Sequence, residues 1–325
     1  MKLDEVARLA GVSRTTASYV INGKAEQHRI SQATQDKVMA VVKAHNYQPD
    51  RQAAALRGAL SHTFGLIVPD LDNPSYARLA KLLESQARQA GFQLLITCSD
   101  DDADTERELA MMLKGRRVDA LIVASCLPPE EDFYLRLHQD MPVIGVDRSL
   151  PPPLISVSSE NRASSFRLAQ TLATPDLEQV WLISAAPGLG VSLEREQGFI
   201  KALESSGVSY QVLYGDRFDR QTAFRLLNEL EDVNWQHPQA IVTTAFVLLE
   251  GVLDYFYQYE ARLPSGLKLG TFGDHRLLDF MSTPISTIAQ DHHMVAQQVL
   301  SLTLDAIRGN YRSGHYPIPR VLHRR

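Results

Sequence analysis

The chain has 325 residues, 44% of them hydrophobic, and carries a formal net charge of −5 at pH 7. This length and apolar content suit a globular protein of two or three domains with buried cores. No run approaches the roughly 18 consecutive apolar residues that would span a bilayer, and the N-terminal "MKLDEVARLAG" alternates charged with apolar residues, unlike a signal segment. We therefore expect a cytoplasmic protein with no membrane partner.

The charge is distributed unevenly along the chain. Residues 1–60 hold nine Lys or Arg and five Asp or Glu, whereas residues 61–325 hold 24 and 33. A small basic head on a large acidic body favours local contact with a polyanion while the body stays away from it.

The head begins with two predicted helices on either side of a glycine turn. The first covers residues 3–9, and Gly11 breaks it. Ser13 can cap a second helix over residues 14–21, which the Asn-Gly pair at 22–23 ends.

A third helix and a linker follow. Ser31 can cap the third helix, in which Val38, Val41 and Val42 are spaced for a buried face. The segment 50–60 then has too little apolar surface to fold alone, which predicts a linker or hinge helix that forms only against a partner.

From Phe64 onwards the pattern changes to alternating strands and helices. Continuous apolar runs bounded by turns are typical of strands buried on both faces of a parallel sheet. The first half contains "FGLIVPDL", "FQLLITCS", "VDALIVAS" and "PVIGVD". After residues 151–153 the pattern repeats with "QVWLISAA", "YQVLYG", "QAIVTTAF" and "LKLGTFGD". The sequence therefore predicts an α/β body of two Rossmann-like halves, with a cleft where the strand ends face one another.

The first two helices match the helix-turn-helix arrangement, in which the second helix enters the major groove of DNA. Its apolar residues share one face, which leaves Arg14, Thr15, Ser18 and Tyr19 outward or flanking. Arg14 can donate two hydrogen bonds to a guanine edge, and Tyr19 can reach a base or a phosphate. A surface helix in an ordinary three-helix bundle would show the same pattern.

Two long stretches, "DEVARLAGVSRTTASYVIN" and "KVMAVVKAHNYQPDRQAAALR", resemble the lactose-repressor family of bacterial transcription regulators, and the resemblance covers the whole chain. The triple Arg14, Thr15 and Tyr19, the loop "GKAEQHRI" and the motifs "VPDLDNPSY", "LPPE" and "LEREQGF" are most similar to the fructose-repressor branch. The resemblance implies periplasmic-binding-protein-like subdomains after an all-α head. It also implies the domain limits: a helix-turn-helix domain at 1–49, a hinge helix at 50–60, and an effector-binding and oligomerisation domain at 61–325. The last of these would consist of an N-subdomain at 61–158 plus 290–316 and a C-subdomain at 159–289 plus 317–325.

The resemblance further implies how the head and hinge bind DNA. In that family two hinge helices pair in the minor groove, and Leu56 matches the leucine that wedges into a base step and bends the duplex. An ordinary linker leucine is the alternative. The expected DNA-binding residues are Ser13, Arg14, Thr15, Thr16, Ser18, Tyr19, Asn22, Arg51, Ala53, Leu56 and Arg57. We expect a palindromic operator bound by a homodimer or homotetramer.

The cleft is expected to bind a sugar. The resemblance points residue by residue to Asp147 and Arg148 in "IGVDRS", Arg195 in "LEREQGF", Asp274 in "TFGD" and Gln290 in "IAQD". Carboxylates and an amide suit sugar hydroxyls, and the planar forks of two arginines suit a phosphate. We therefore expect a sugar phosphate, and the fructose-repressor branch implies fructose 1-phosphate. Asp147 alone is equally consistent with a turn at a strand end.

Some residues expected near the cleft leave alternatives open. Ser75, after the expected Asn73 cap, would place backbone N–H groups at the rim, and Phe218 could stack against a sugar face. A solvent-facing capping turn and a core phenylalanine are equally consistent with the sequence. Where many family members carry a polar ligand contact after the "VTT" strand, this chain has Ala245 and Phe246. Either the ligand is smaller there or that hydrogen bond is absent.

Other motifs do not indicate an enzyme, a cofactor or a metal. "PGLGVSLERE" has Leu193 in place of the third glycine of a dinucleotide loop, and "SDDDADTERE" lacks the glycine and terminal glutamate spacing of a calcium loop. The adjacent Asp-His-His at 291–293 cannot all face one metal. Cys98 and Cys126 lack C-x-x-C spacing and are expected to be half-buried thiols. We expect no catalytic residue, no metal and no cofactor.

The predicted function is a DNA-binding transcriptional regulator of sugar and carbon metabolism whose operator binding is relieved by a sugar phosphate. Ligand in the cleft would close or rotate the body and separate the hinge segments. A sugar-binding transport protein is one alternative, and a regulator of the same family that responds to another sugar or sugar phosphate is another. A sugar-phosphate isomerase or kinase remains the enzyme alternative.

Overall fold

The computed structural model describes residues 1–47, 60–174, 177–231 and 238–325. The chain divides into two compact units, Met1–Ser61 and His62–Arg325. All of the predicted hinge segment except Leu60 lies outside the described residues. The same holds for four expected DNA contacts, Arg51, Ala53, Leu56 and Arg57.

The first unit contains three helices in its described part. They are α1 (Leu3–Ala10), α2 (Arg14–Ile21) and α3 (Gln32–Ala44). Gly11 ends α1 in the left-handed conformation with φ 65°, which glycine adopts without steric cost. The Ser13 Oγ accepts a hydrogen bond from the Thr16 amide at 3.1 Å, so the predicted cap of α2 is confirmed.

A small apolar core joins these helices. Val6 and Val38 are fully buried, and Ala17 and Val20 of α2 pack in the same cluster. The predicted buried face of α3 is confirmed at Val38, with the other two valines partly buried against it.

The second unit contains two six-stranded sheets flanked by helices. In the first sheet the order is β11-β5-β4-β3-β1-β2, and all pairs are parallel. Its strands are β1 (Thr63–Val68), β2 (Gln93–Cys98), β3 (Ala120–Val123), β4 (Val143–Val146), β5 (Ile155–Ser159) and β11 (His315–Ile318). Helices on both faces form apolar clusters with it. These helices are α4 (Pro74–Gln89), α5 (Ala103–Gly115), α6 (Phe133–His138) and α11 (His292–Ile307).

The second sheet repeats this arrangement in the order β12-β10-β9-β8-β6-β7, with only β12 antiparallel to its neighbour. Its strands are β6 (Gln179–Ala185), β7 (Ser209–Gly215), β8 (Ala240–Thr243), β9 (Lys268–Phe272), β10 (Ile285–Gln290) and β12 (Arg320–Arg324). The helices around it are α7 (Arg162–Leu172), α8 (Gly190–Glu204), α9 (Arg220–Glu231) and α10 (Phe246–Glu260), with a 3-10 turn at Arg276–Phe280. The predicted α/β body of two parallel-sheet halves is confirmed.

The sequence prediction is wrong about the burial of two strands. β2 and β7 are only half-buried or exposed along most of their length, because each lies at the edge of its sheet. An apolar run therefore marked these strands correctly but did not reveal their position in the sheet.

The chain crosses between the two halves at three places. It leaves the first sheet after β5 and enters α7, and it returns from β10 into α11. The third crossing is Pro319, between β11 of the first sheet and β12 of the second. These crossings bring residues 159–162, 290–292 and 318–320 to the junction of the halves.

Candidate functional site

A cavity of about 320 Å³ lies in the second unit between its two halves. Its position at the carboxyl ends of parallel strands is the usual location of ligand sites in such sheets. Six of the seven residues expected to bind an effector line it: Ser75, Asp147, Arg148, Arg195, Phe218 and Gln290.

Asp147 follows β4 with a backbone φ of 63°, which is uncommon for a residue other than glycine and is often found at functional sites. Its carboxylate accepts hydrogen bonds from the Tyr76 hydroxyl at 2.9 Å and from Gln290 Nε2 at 3.2 Å. Burial acts to raise the pKa of Asp147, but the charges of Arg195 and Arg320 outweigh it and lower that pKa. The cavity therefore contains a fixed carboxylate.

Arg148 is buried beside this carboxylate and already has a partner. Its Nη1 donates to Asp101 Oδ1 at 2.5 Å and its Nη2 donates to Asp101 Oδ2 at 3.1 Å. Its Nε has no hydrogen-bond partner among the described residues. A guanidinium paired in this two-pronged way has its fork occupied, so Arg148 does not present the free fork that the sequence analysis expected.

Arg195 and Arg320 are the other cationic residues in the buried part of the cavity wall. They are 7% and 5% exposed, and no carboxylate in the described part of the chain forms an ion pair with either. Both guanidinium groups lie over the ring of Phe272, at 4.7 and 5.3 Å from its centroid. Burial and the charge of Arg195 lower the pKa of Arg320 to about 9. The charge of Asp147 acts on both groups without forming an ion pair, so the two guanidinium groups remain able to attract and bind an anion.

A hydrogen-bonded chain of side chains includes two residues of the cavity wall, Ser75 and Gln290. The Ser75 hydroxyl donates to Gln290 Oε1 at 3.1 Å and lies 2.9 Å from His292 Nε2. Gln290 Nε2 also donates to Ser159 Oγ at 2.8 Å. The predicted helix start is confirmed here, because Asn73 accepts from the Ser75 amide at 3.1 Å. These polar groups can bind hydroxyls.

The structure leaves Asp274 out of the cavity wall. Its carboxylate accepts from the Thr287 hydroxyl at 3.0 Å and pairs with Arg325 Nη1 at 2.9 Å. The neighbouring Gly273 lines the cavity instead. The cause is the C-terminal strand β12, which carries Arg325 to this position.

Phe218 is both a cavity residue and a core residue, the two possibilities that the sequence left open. It lines the cavity and also packs against the apolar core of the second half. Ala245 and Phe246 line the cavity too, so apolar atoms stand where many family members have a polar contact.

Sequence reasoning missed several residues of this wall. Tyr76 stands next to Ser75 in "NPSY", which was a usable signal. Arg320 has no such signal, because it is one arginine at the start of the last strand. Arg217 donates from its Nη2 to the Asp100 carbonyl at 2.7 Å and so joins the two halves at the edge of the cavity.

The expected DNA-binding residues of α2 fall into two groups. Arg14 and Thr15 are exposed, and Arg14 lies 3.2 Å from Asp4 of α1. Others maintain the ends of the helix. Ser13 pairs with Thr16 at the start, and Asn22 donates to the Ser18 carbonyl at 2.8 Å at the end.

The described ranges contain neither a metal-binding cluster nor a membrane-spanning helix. No cluster of His, Cys, Asp or Glu side chains there is arranged to hold a metal ion. No helix in those ranges is both long enough and apolar enough to cross a bilayer. Cys98 and Cys126 are free and half-buried, which confirms that expectation.

Comparisons with known proteins identify the family. Residues 2–50 match the profile of the bacterial regulatory proteins of the lacI family, and residues 61–248 match that of the periplasmic binding proteins and sugar binding domain of the LacI family. The chain is 48% identical to a fructose operon regulatory protein of Vibrio cholerae, over 99% of both chains. It is 46% identical to the catabolite repressor/activator of Escherichia coli, over 94% of this chain and 92% of that one.

Solved structures agree with this assignment. The Cra transcriptional dual regulator of Pseudomonas putida in complex with fructose 1-phosphate has 44% sequence identity and a TM-score of 0.77, over 81% of this chain and 98% of that one. The lac repressor dimer bound to operator and an anti-inducer has 21% identity and a TM-score of 0.83, over 100% of this chain and 98% of that one, and shows the shared fold. The chain belongs to the LacI family of bacterial regulatory proteins, which makes it a DNA-binding transcription regulator and not an enzyme.

Proposed function

We propose that this regulator binds fructose 1-phosphate in the cavity between its two halves and that the bound ligand weakens its hold on a palindromic operator. The observation that carries the proposal is the pair Arg195 and Arg320, two buried guanidinium groups with no carboxylate partner in the described structure. A phosphate dianion would neutralise both charges and accept several charge-assisted hydrogen bonds.

The other polar groups of the wall suit the rest of a sugar phosphate. Asp147 accepts hydrogen bonds, and Ser75 and Gln290 can both donate and accept them. Phe218 offers an apolar ring to one face of a sugar. Arg148 is neutralised by Asp101 and is therefore not assigned to the phosphate. We assign its partner, the Asp101 carboxylate, to contacts with sugar hydroxyls.

Similarity to known regulators supports the choice of ligand. The Pseudomonas putida relative was solved with fructose 1-phosphate, and its identity of 44% extends over 98% of its chain. The Vibrio cholerae relative is named for the fructose operon. A role in carbon metabolism follows for this chain if it retains the same ligand.

The DNA-binding role is assigned to the head. Arg14, Thr15 and Tyr19 are proposed to read bases, while Ser13, Thr16, Ser18 and Asn22 fix the ends of α2 or contact phosphates. We propose a homodimer or homotetramer, since symmetric half-sites need paired heads. The hinge contacts and the domain limits 1–49, 50–60 and 61–325 stay predictions.

Calorimetric titration of the full chain with fructose 1-phosphate, fructose 6-phosphate and fructose tests the ligand. We expect fructose 1-phosphate to bind tightest and fructose at least tenfold more weakly, because it lacks the phosphate. Arg195→Gln and Arg320→Gln should each weaken fructose 1-phosphate about 10- to 100-fold, the value of a charge-assisted hydrogen bond.

Arg88→Gln is the matched control, since Arg88 is 67% exposed and pairs with Glu84 on its own helix. It should bind the ligand like the wild type. Absence of binding heat with fructose 1-phosphate, or equal affinity for fructose, would contradict the proposal.

A further inference from the structure

Asn161 lies at the first of the three crossings between the halves. It lies two residues after the end of β5 and immediately before α7, and it is 4% exposed. A buried amide needs hydrogen-bond partners for both its oxygen and its nitrogen. The partners that it has in this structure are all charged.

The Asn161 side chain contacts both Arg195 and Arg320 through one oxygen. Its Oδ1 accepts from Arg195 Nε at 2.9 Å and from Arg320 Nη2 at 3.4 Å. Its Nδ2 donates to Glu194 Oε2 at 2.9 Å. The electrostatics fix the orientation of the amide, because the reverse orientation would place Nδ2 against two cations and Oδ1 against a carboxylate.

The neutrality of this acceptor matters for the site. A carboxylate at the same place would form ion pairs with both arginines and cancel the charge that attracts an anion. An amide holds the two guanidinium groups in position and leaves their charge available. The site thus has a positioned cation pair whose shared hydrogen-bond acceptor is an amide oxygen and not a carboxylate.

The same contacts link the three crossings to one another. Arg320, at the third crossing, donates from its Nε to the Glu160 carbonyl of the first at 3.1 Å. Gln290, at the second, donates to Ser159 of the first at 2.8 Å. Arg320 and Gln290 also line the cavity, so a ligand that moves either side chain acts on the segments that set the angle between the halves.

We infer that Asn161 is the positioning residue that assembles Arg195 and Arg320 into one anion-binding pair and connects that pair to the crossings between the halves. An anion drawn to both guanidinium groups competes for the longer Arg320 contact with Asn161 and so shifts the third crossing relative to the first. The inference rests on the proposed function only in taking phosphate as the charged group of the ligand.

The test replaces the amide by an isosteric carboxylate. Asn161→Asp alone would face the carboxylate of Glu194, so the variant is built with Glu194→Gln and compared with Glu194→Gln alone. Ligand affinity is measured by calorimetry with fructose 1-phosphate and with inorganic phosphate, and the unliganded melting temperature is measured in parallel. Asn310→Asp adds the same charge at an exposed turn and is the control for net charge.

The expected result is that two quantities move in opposite directions. The added carboxylate should raise the melting temperature of the unliganded protein, because it neutralises two buried cations. It should also lower the affinity for fructose 1-phosphate and for inorganic phosphate at least tenfold. Asn310→Asp should change neither. A merely structural asparagine predicts that stability falls and that affinity is unchanged or falls with it, and either of those results would overturn the inference.

The two proposals fail in different ways. If the wild type binds inorganic phosphate but not fructose 1-phosphate, and the Asn161 variant binds inorganic phosphate more weakly, the sugar assignment is wrong and the positioning role stands. If the wild type binds fructose 1-phosphate and the Asn161 variant binds it equally well, the positioning role is wrong and the proposed function stands.

Discussion

The imidazole of His28 stacks on the phenol ring of Tyr19, with ring centroids 3.5 Å apart and planes 10° from parallel. Tyr19 lies in the last turn of α2, and His28 belongs to the loop between α2 and α3. The loop thus restricts the side chain of Tyr19, which is one of the residues proposed to read bases. A contact residue fixed in advance loses less entropy on binding.

His28→Ala should therefore weaken operator binding. Stacked aromatic pairs are worth about 0.5–1.5 kcal/mol, which corresponds to a loss of roughly 2- to 12-fold in affinity. Fluorescence anisotropy with a palindromic duplex selected from a random library measures the change. His28→Phe keeps a flat ring and should retain most of the affinity. His45→Ala, at the exposed end of α3, serves as the matched control, and a loss as large as that of His28→Ala would contradict this account.

His292 makes the stability of the second unit depend on pH. Burial and the charge of Arg78 lower the pKa of His292 from 6.5 to about 4. The folded protein therefore keeps His292 neutral down to about pH 4, whereas the unfolded chain binds a proton below about pH 6.5. The contribution is complete above pH 6.5 and is lost as the pH falls through about 4.

Urea denaturation at pH 7 and at pH 4.5 measures this effect. The wild type should lose up to about 2 kcal/mol more than His292→Gln on acidification, because glutamine does not titrate. The adjacent His293 is exposed, and His293→Gln should keep the acid sensitivity of the wild type. Equal losses in the wild type and in His292→Gln would show that another group is responsible.

Glu106 is a fully buried carboxylate with three donors around it. It accepts from the Ser125 hydroxyl at 2.6 Å, the Cys126 amide at 2.7 Å and the Tyr134 hydroxyl at 2.7 Å. Glu106→Ala would leave these donors buried without an acceptor and should lower the free energy of unfolding by about 3 kcal/mol or more. Glu108 is exposed on the same helix, and Glu108→Ala should stay within about 0.5 kcal/mol of the wild type. Chemical denaturation distinguishes the two, and similar values would contradict the prediction.

Gly198 allows α7 and α8 to approach closely. A Cβ at this position would lie 2.1 Å from the Arg162 carbonyl oxygen, which belongs to the backbone and cannot turn aside. We expect Gly198→Ala to destabilise the fold by at least about 2 kcal/mol through overpacking. Gly115 ends α5 with no atom near its Cβ position, and Gly115→Ala should be neutral or slightly stabilising. Thermal unfolding of both variants measures the difference, and a neutral Gly198→Ala would refute the close approach.

The parts of the fold that could be predicted are those encoded locally. The caps at Ser13 and Asn73 and the apolar strands all depend on neighbours within a few residues. Arg320 could not be found this way, because the residue that it contacts in the cavity wall region, Asn161, is 159 positions away in the sequence. The position of Asp274 outside the cavity wall could not be predicted for the same reason, since its partner Arg325 follows the last strand. Local spacing does not encode such long-range pairs.

The most direct test of the central claim is reciprocal titration. Binding of fructose 1-phosphate to the full-length protein is measured by calorimetry with and without saturating palindromic duplex, and duplex binding is measured by anisotropy with and without saturating ligand. Because linkage is reciprocal, the ligand should weaken DNA binding by the same factor by which DNA weakens ligand binding, and we expect at least tenfold in each direction. Equal affinities in the presence and absence of the other partner would contradict the account.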